Sequence, residues 1–198
     1  EGVTSASVIV NGANGGNSVV LSTTCVTGAH GGFGAQVSAQ LTNLASGQTL
    51  NVYSGVGNNQ NNCGSPTRTA GEGYKSGGTG GVGSSPTDNV KHGAGGGGAS
   101  AITLGSTPLI IAAGGGGAGG VGGVTSDARA DGCDANDWNP TVSCGISVAA
   151  EVGGPGTQSS AGAGATFYAT NGSNGFSGSS DGEGGTGGRY SLNTDNAG

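Results

Sequence analysis

Methionine is absent from this chain and charge is scarce: Asp, Glu, Lys and Arg make up 8% of 198 residues. Lys and Arg together number 5 against 11 Asp and Glu, a formal net charge of −6. No basic patch exists, so the phosphate-neutralising attraction behind nucleic-acid binding is missing. The acidic balance likewise disfavours anionic lipid surfaces. Aromatics are few, with one Trp, four Tyr and three Phe. No run approaches the roughly 18 apolar residues of a membrane helix, so no membrane insertion is expected. With 5 Pro and no sustained Gly-X-Y frame, collagen is excluded.

What is plentiful is glycine, at 49 residues. Each Gly in a helix interior is unfavourable by about 1 kcal/mol, and no window shows a helical apolar stripe. An all-β chain with almost no α-helix is expected. Composition of this kind borders on disorder, but chains that fail to collapse usually carry far more charge.

The glycines are phased. They recur at 28, 31 and 34, at 77, 80 and 83, and at 114, 117, 120 and 123. The same spacing returns at 172, 175 and 178, and at 182, 185 and 188. A left-handed polyproline II-type helix has three residues per turn and no internal hydrogen bonds. Glycine at every third place leaves one edge bare, so a second such helix can approach. Backbone groups can then bond between neighbours, as buried backbone must bond somewhere. Flexible linkers are the alternative, but linkers separate domains. Here the runs abut the most apolar segments, HGAGGGGASAITL and PLIIAAGGGGAGG, which favours ordered rods.

Between the glycine runs the polar and apolar residues alternate. AQVSAQLTNL sets Val37, Ala39 and Leu41 against Gln36, Ser38, Gln40 and Thr42, and QTLNVYS sets Leu50 and Val52 against Thr49, Asn51 and Tyr53. With Ala45 to Gln48 between them, these read as a β-hairpin. SASVIV at 5–10 is a further strand. ASAITL at 99–104 and PLIIAA at 108–113 flank Gly105-Ser106-Thr107 as a second hairpin. PLIIAA is apolar throughout and should be buried on both faces. GISVAAEV at 145–152, ATFYAT at 165–170 and RYSLN at 189–193 are weaker strand candidates.

Cysteines stand at 25, 63, 133 and 144, without a CxxC pair or the His spacing of a zinc site. Their even number points to disulfides and an oxidising, extracellular compartment. We expect Cys133–Cys144 to close the loop DGCDANDWNPTVSCG, with Cys25–Cys63 as the second bridge, though four Cys allow three pairings. The chain is expected to form a single glycine-rich domain over 1–198, with 126–144 as a disulfide-closed loop. No signal peptide is visible, as suits a mature, processed protein.

NGANGG, then GAHGGFGAQVSAQLTNLASGQTLNVYSGVG, then HGAGGGGASAITLGSTPLIIAAGGGGAGG together resemble the glycine-rich extracellular domain of the anaplastic lymphoma kinase and leukocyte tyrosine kinase receptors. Secreted glycine-rich microbial proteins show the same order. The likeness spans roughly residues 8–123, and 93–120 is its specific part. It implies a jelly-roll-like β-sandwich fused to a bundle of short polyglycine II helices, with no binding residue that carries across. Tail-fibre adhesins of some phages are similar in architecture alone.

No set of residues supports catalysis. His30 and His92 are the only histidines, each beside Gly; no nucleophile elbow is present, and a His packed on a glycine segment explains both. Asp127, Asp131, Asp134 and Asp137 with Asn136 and Asn139 miss the EF-hand frame, and a solvated acidic loop accounts for them. No cofactor or metal is expected. Candidate contact residues are Asn58, Asn59, Asn61 and Asn62 before Cys63, and Trp138 and Asn139 in the probable disulfide loop. Each could instead be a solvated turn or a packed side chain. Asn171-Gly172-Ser173 is a glycosylation pattern, in a chain where chance makes such patterns common.

Three functions fit these features. The first is an extracellular structural subunit that self-associates through strand edges into a filament or surface layer. The second is an adhesin binding a cell-surface glycan or protein through loops 56–76 and 126–144. The third is an ice-binding protein, which requires Ala and Thr at a fixed phase of the triplets.

Overall fold

A computed structural model describes residues 2–20, 26–27, 29–57, 69–80, 93–119, 132 and 134–135. Among them there is no helix, and every strand pairing is antiparallel. The strands are β1 (Ala6–Asn11), β2 (Val19–Val20), β3 (Val26–Thr27), β4 (Gln36–Leu41), β5 (Leu50–Tyr53), β6 (Ser100–Leu104) and β7 (Thr107–Ala112). β1 pairs with β4, β2 with β3, and β5, β6 and β7 form a three-stranded sheet in that order. The expected strands at 145–152, 165–170 and 189–193 lie outside the described residues.

Alternation does its work in β4, where Val37, Ala39 and Leu41 are half-buried and Gln36, Ser38 and Gln40 are exposed. The partner is not the one expected. β4 and β5 do not form a hairpin; β4 bonds to β1 and β5 bonds to β6. Alternation fixes which face of a strand is buried, and both faces here point to one apolar cluster from different sheets. Val10, Ile102, Ile110 and Ala112 form its buried centre, with Val8, Val37, Ala39, Leu41 and Leu50 packed around it. Residues 42–49 cross between the sheets, held by Leu44 N–H to the Thr4 carbonyl at 3.0 Å and Ala45 N–H to Gln48 Oε1 at 3.0 Å. Val52, expected beside Leu50 on that cluster, is instead 74% exposed.

The second hairpin forms as read, with a tighter turn. Leu104 pairs with Thr107, leaving Gly105-Ser106 as a two-residue loop. Gly105 has φ of 58° while Ser106 is not among the positive-φ residues, the combination of a type II′ turn. Burial of 108–113 is partial: Ile110 to Ala113 are buried, while Pro108 and Leu109 at the turn end are exposed. The opposite face of this hairpin, Ala99, Ala101 and Ile111, is covered by Tyr74. Tyr74 packs edge-on to Tyr53, with ring centroids 5.4 Å apart.

Four strands run directly into glycine segments: β1 into 12–18, 29–35 into β4, 93–99 into β6, and β7 into 113–119. Here the bonding period changes. Amides of Gly12, Gly15 and Ser18 donate to the carbonyls of Ala35, Gly32 and Ala29, at 2.8–2.9 Å. Those of Ala13 and Gly16 donate to Gly98 and Gly95 on a different segment. Gly32 and Ala35 reach Gly116 and Ala113; Ala94 and Gly97 reach Ala118 and Gly115. One neighbour is met at every third residue, whereas a β ladder serves one edge at every second. Residues 93–99 and 113–119 are buried throughout.

Glycine is required for this spacing rather than for unusual dihedrals, since only Gly47 and Gly105 among the described glycines have positive φ. A Cβ on Gly12 would collide with the Ala113 carbonyl oxygen, and one on Gly115 with that of Gly32. Backbone carbonyls cannot swing aside as a flexible side chain could. At the seam between sheet and segments, buried Ser100 accepts the Gly55 N–H at 2.8 Å and donates to the Asn11 carbonyl at 2.5 Å.

Gly12→Ala and Gly115→Ala are each expected to destabilise the chain by roughly 1–3 kcal/mol through overpacking. Exposed Thr49→Ala should stay within about 0.5 kcal/mol. Ser100→Ala, which strands a donor and an acceptor, should lower stability by about 1–3 kcal/mol. Urea-unfolding midpoints measure all four.

Candidate functional site

The sequence NGANGGNS repeats Asn at 11, 14 and 17, and each turn of that repeat has one structural job per residue. The position after each Asn (12, 15, 18) bonds the 29–35 segment, and the next (13, 16) bonds the 93–99 segment. The Asn side chains add a second set of bonds to that same 29–35 segment and to the strand it enters. Asn17 Oδ1 accepts the Gly31 N–H at 2.8 Å, and Asn14 Oδ1 accepts the Gly34 N–H at 3.0 Å. Asn11 Oδ1 accepts from the Gln36 side chain at 2.9 Å. Because a backbone N–H can only donate, the contacts of Asn14 and Asn17 identify the carboxamide oxygen and leave Nδ2 turned elsewhere.

The facing segment AHGGFGA has the complementary phase. Gly31 and Gly34 receive the Asn side chains, Gly32 and Ala35 bond inward, and His30 and Phe33 fall on the outer side. The carbonyls of His30 and Phe33 accept from Gly132 at 2.7 Å and Ala135 at 2.9 Å, while Phe33 N–H donates to Asp134 Oδ1 at 2.6 Å. The outer side of this segment is thus met by Gly132, Asp134 and Ala135, and Asp134, assigned to a solvated acidic loop by sequence, bonds the Phe33 amide.

Between 12–17, 30–33 and 55–57 lies an open groove of about 670 Å³. Asn14, Asn17, His30 and Phe33 line it, with Gly55 and Gly57 as the opposite wall. Phe33 is 65% exposed. The amides of Asn14 and Asn17 donate to no backbone acceptor among the described residues. Such a surface offers hydrogen-bond donors, acceptors and one aromatic face. Among the described residues no three His, Cys, Asp or Glu gather as a metal-binding group, and the titratable side chain in the described lining is His30.

The contact residues expected from sequence, Asn58, Asn59, Asn61, Asn62, Trp138 and Asn139, lie outside the described residues. So do Asn171, His92 and all four cysteines, Cys25, Cys63, Cys133 and Cys144. Asn14, Asn17 and Phe33 were missed by sequence reasoning, although the Asn triplet at 11, 14 and 17 was the signal. Glycine periodicity drew attention away from the residue one place before each glycine. Comparison with family models, curated proteins and solved structures finds no match for this chain.

Asn17→Ala removes the acceptor of a half-buried N–H and should destabilise the chain by about 1–2 kcal/mol. Asn17→Asp keeps an oxygen in place and should lose less than half as much. Urea unfolding together with amide exchange at Gly31 separates the two variants.

Proposed function

We propose that this chain is a non-enzymatic extracellular structural protein, a subunit that self-assembles into a filament or surface layer. The observation that carries this reading is the three-residue bonding period by which the glycine segments 12–18, 29–35, 93–99 and 113–119 bond to one another. A helix with three residues per turn aims successive amides in three directions, so each neighbour is met once per turn. We read 12–18, 29–35, 93–99 and 113–119 as short polyglycine II rods on that basis. The two sheets sharing the Val10–Ile110 cluster we read as a small β-sandwich continued by the rods, as the likeness to glycine-rich receptor domains implies.

Self-association follows from the chemistry of such a surface. Backbone amides and carbonyls on an open edge are the same groups that hold the interior together, so a second copy is a matching partner. Strand edges add to this: among the described residues β1 and β4 form a two-stranded sheet, and β5 and β7 are the edge strands of the three-stranded one. Low charge removes the repulsion that keeps most surfaces apart. The even cysteine number and scarcity of Lys support an oxidising, extracellular setting. Ice binding is less well supported, because the outward phase of the 12–18 segment carries Asn14 and Asn17 rather than Ala or Thr.

Sedimentation velocity over a concentration series, with electron micrographs of the same samples, tests the proposal. Concentration-dependent oligomers and regular fibres or arrays are expected. A monomer at every concentration, with no ordered assemblies, overturns it.

A further inference from the structure

We propose that Asn11-Gly12 and Asn14-Gly15 are latent deamidation sites, held intact by the bonding between glycine segments and released when 12–18 parts from 29–35. This goes beyond the self-assembly reading and does not depend on it. Asn followed by Gly is a sequence in which a chain readily modifies itself, because no Cβ shields the nitrogen of the second residue. That nitrogen loses its proton and attacks Cγ of the Asn. The N–Cγ bond forms, the Cγ–Nδ2 bond breaks and ammonia leaves, giving a cyclic succinimide. Water then opens the ring at either carbonyl, to Asp or to isoaspartate. Water is the sole co-reactant, so NGANGG carries two such sites by its sequence alone.

The fold ties down both reacting groups at each pair. The attacking nitrogen of Gly12 donates its N–H to the Ala35 carbonyl at 2.8 Å, and that of Gly15 donates to the Gly32 carbonyl at 2.9 Å. The carboxamides under attack are bonded as well. Asn14 Oδ1 accepts the Gly34 N–H at 3.0 Å, and Asn11 Oδ1 accepts from the Gln36 side chain at 2.9 Å. A proton in such a backbone bond is not released to solvent until the bond opens. A side chain anchored across to the facing segment cannot turn back on its own backbone. Burial plays no part, since Asn11 and Asn14 are both exposed. The release is also one-way. Isoaspartate routes the main chain through Cβ and Cγ and so lengthens it. With isoaspartate at 14, Gly15 and Ser18 lose their phase against Gly32 and Ala29, the carbonyls they now bond. A passing separation of the two segments is thereby written into the chain permanently.

Timed peptide mapping by mass spectrometry, at fixed pH and temperature, follows each site separately. In the free peptide of residues 9–18, IVNGANGGNS, Asn11 and Asn14 should convert fast and Asn17, which precedes Ser, more slowly. In the folded chain Asn11 and Asn14 should convert at least about tenfold more slowly than in the peptide, because reaction waits on an open state. Equal rates in chain and peptide overturn the proposal. Gly115→Ala tests the release, since its Cβ would meet the Gly32 carbonyl oxygen that holds the Gly15 amide. Asn14 should then convert several-fold faster, while Thr49→Ala leaves the rate unchanged. Urea below the unfolding transition serves the same purpose in the unaltered chain, and should speed Asn14 in step with amide exchange at Gly15. A slow rate that neither Gly115→Ala nor urea raises also overturns the proposal. Asn14→Asp adds charge without lengthening the main chain, so it should keep slow exchange at Gly15 and Gly34, whereas the isoaspartyl form should lose it. Equal exchange in these two forms rejects the one-way step.

Discussion

The constraint on which the structure depends is that a buried peptide group must be hydrogen-bonded. In most domains side chains form the interior, and backbone pairing is arranged within helices and sheets. Here residues 93–99 and 113–119 are buried along their whole length while offering no side chain larger than a methyl group. Desolvated amides and carbonyls at such density would be prohibitive if unpaired, at about 1–3 kcal/mol each. The cross-segment bonds remove that penalty, and they can form only because no Cβ separates the chains. Glycine, usually the residue that loosens a chain, is here what lets the interior close. The entropy lost in ordering each glycine, roughly 1–2 kcal/mol for the backbone, is offset by shared bonding along several neighbours at once.

The β-strands solve a problem that the glycine segments cannot. A surface of identical backbone groups has no preferred register, because a slip of three residues restores the same bonds. Side chains on the adjoining strands do have one. Pairing of Asn11 with Gln36 in the β1–β4 ladder sets the next bond, Gly12 to Ala35, and through it Gly15 to Gly32. Pairing of Ser100 with Ala112 likewise fixes 93–99 against 113–119. The apolar cluster around Val10 and Ile110 supplies the position-specific energy, and the lattice inherits its alignment. Ser100 stands where the period changes from two to three, serving Gly55 and Asn11 with one hydroxyl.

Much of this was legible in the amino-acid order, for identifiable reasons. Strand positions follow from alternation, so β1, β4, β5, β6 and β7 fall where the pattern placed them. The hairpin around Gly105 was legible as well, but its turn was not: Thr107, read as part of a three-residue connection, pairs with Leu104 and leaves Gly105-Ser106 as the loop. Partner choice did not follow. Val37 and Leu50 carry the same apolar signal whether they sit side by side in one sheet or face each other across two, and only the spatial arrangement distinguishes these. The groove was hidden differently. The Asn repeat at 11, 14 and 17 lies inside a glycine-rich run with no strand alternation, and its role appears only where the side chains of Asn14 and Asn17 bond Gly34 and Gly31.

That division of labour bears on how such a chain can acquire specificity. A bare glycine lattice would bond any other bare glycine lattice, including a misfolded copy of itself. This chain places Asn at every third position from 11 to 17, and His30 and Phe33, also three apart, on the exposed side of 29–35. The Asn oxygens are used internally, on Gly31 and Gly34, which fixes how the two segments stagger and holds the groove at a set width. The few side chains thereby supply the alignment that the backbone bonds alone leave open, so the described segments depend on both.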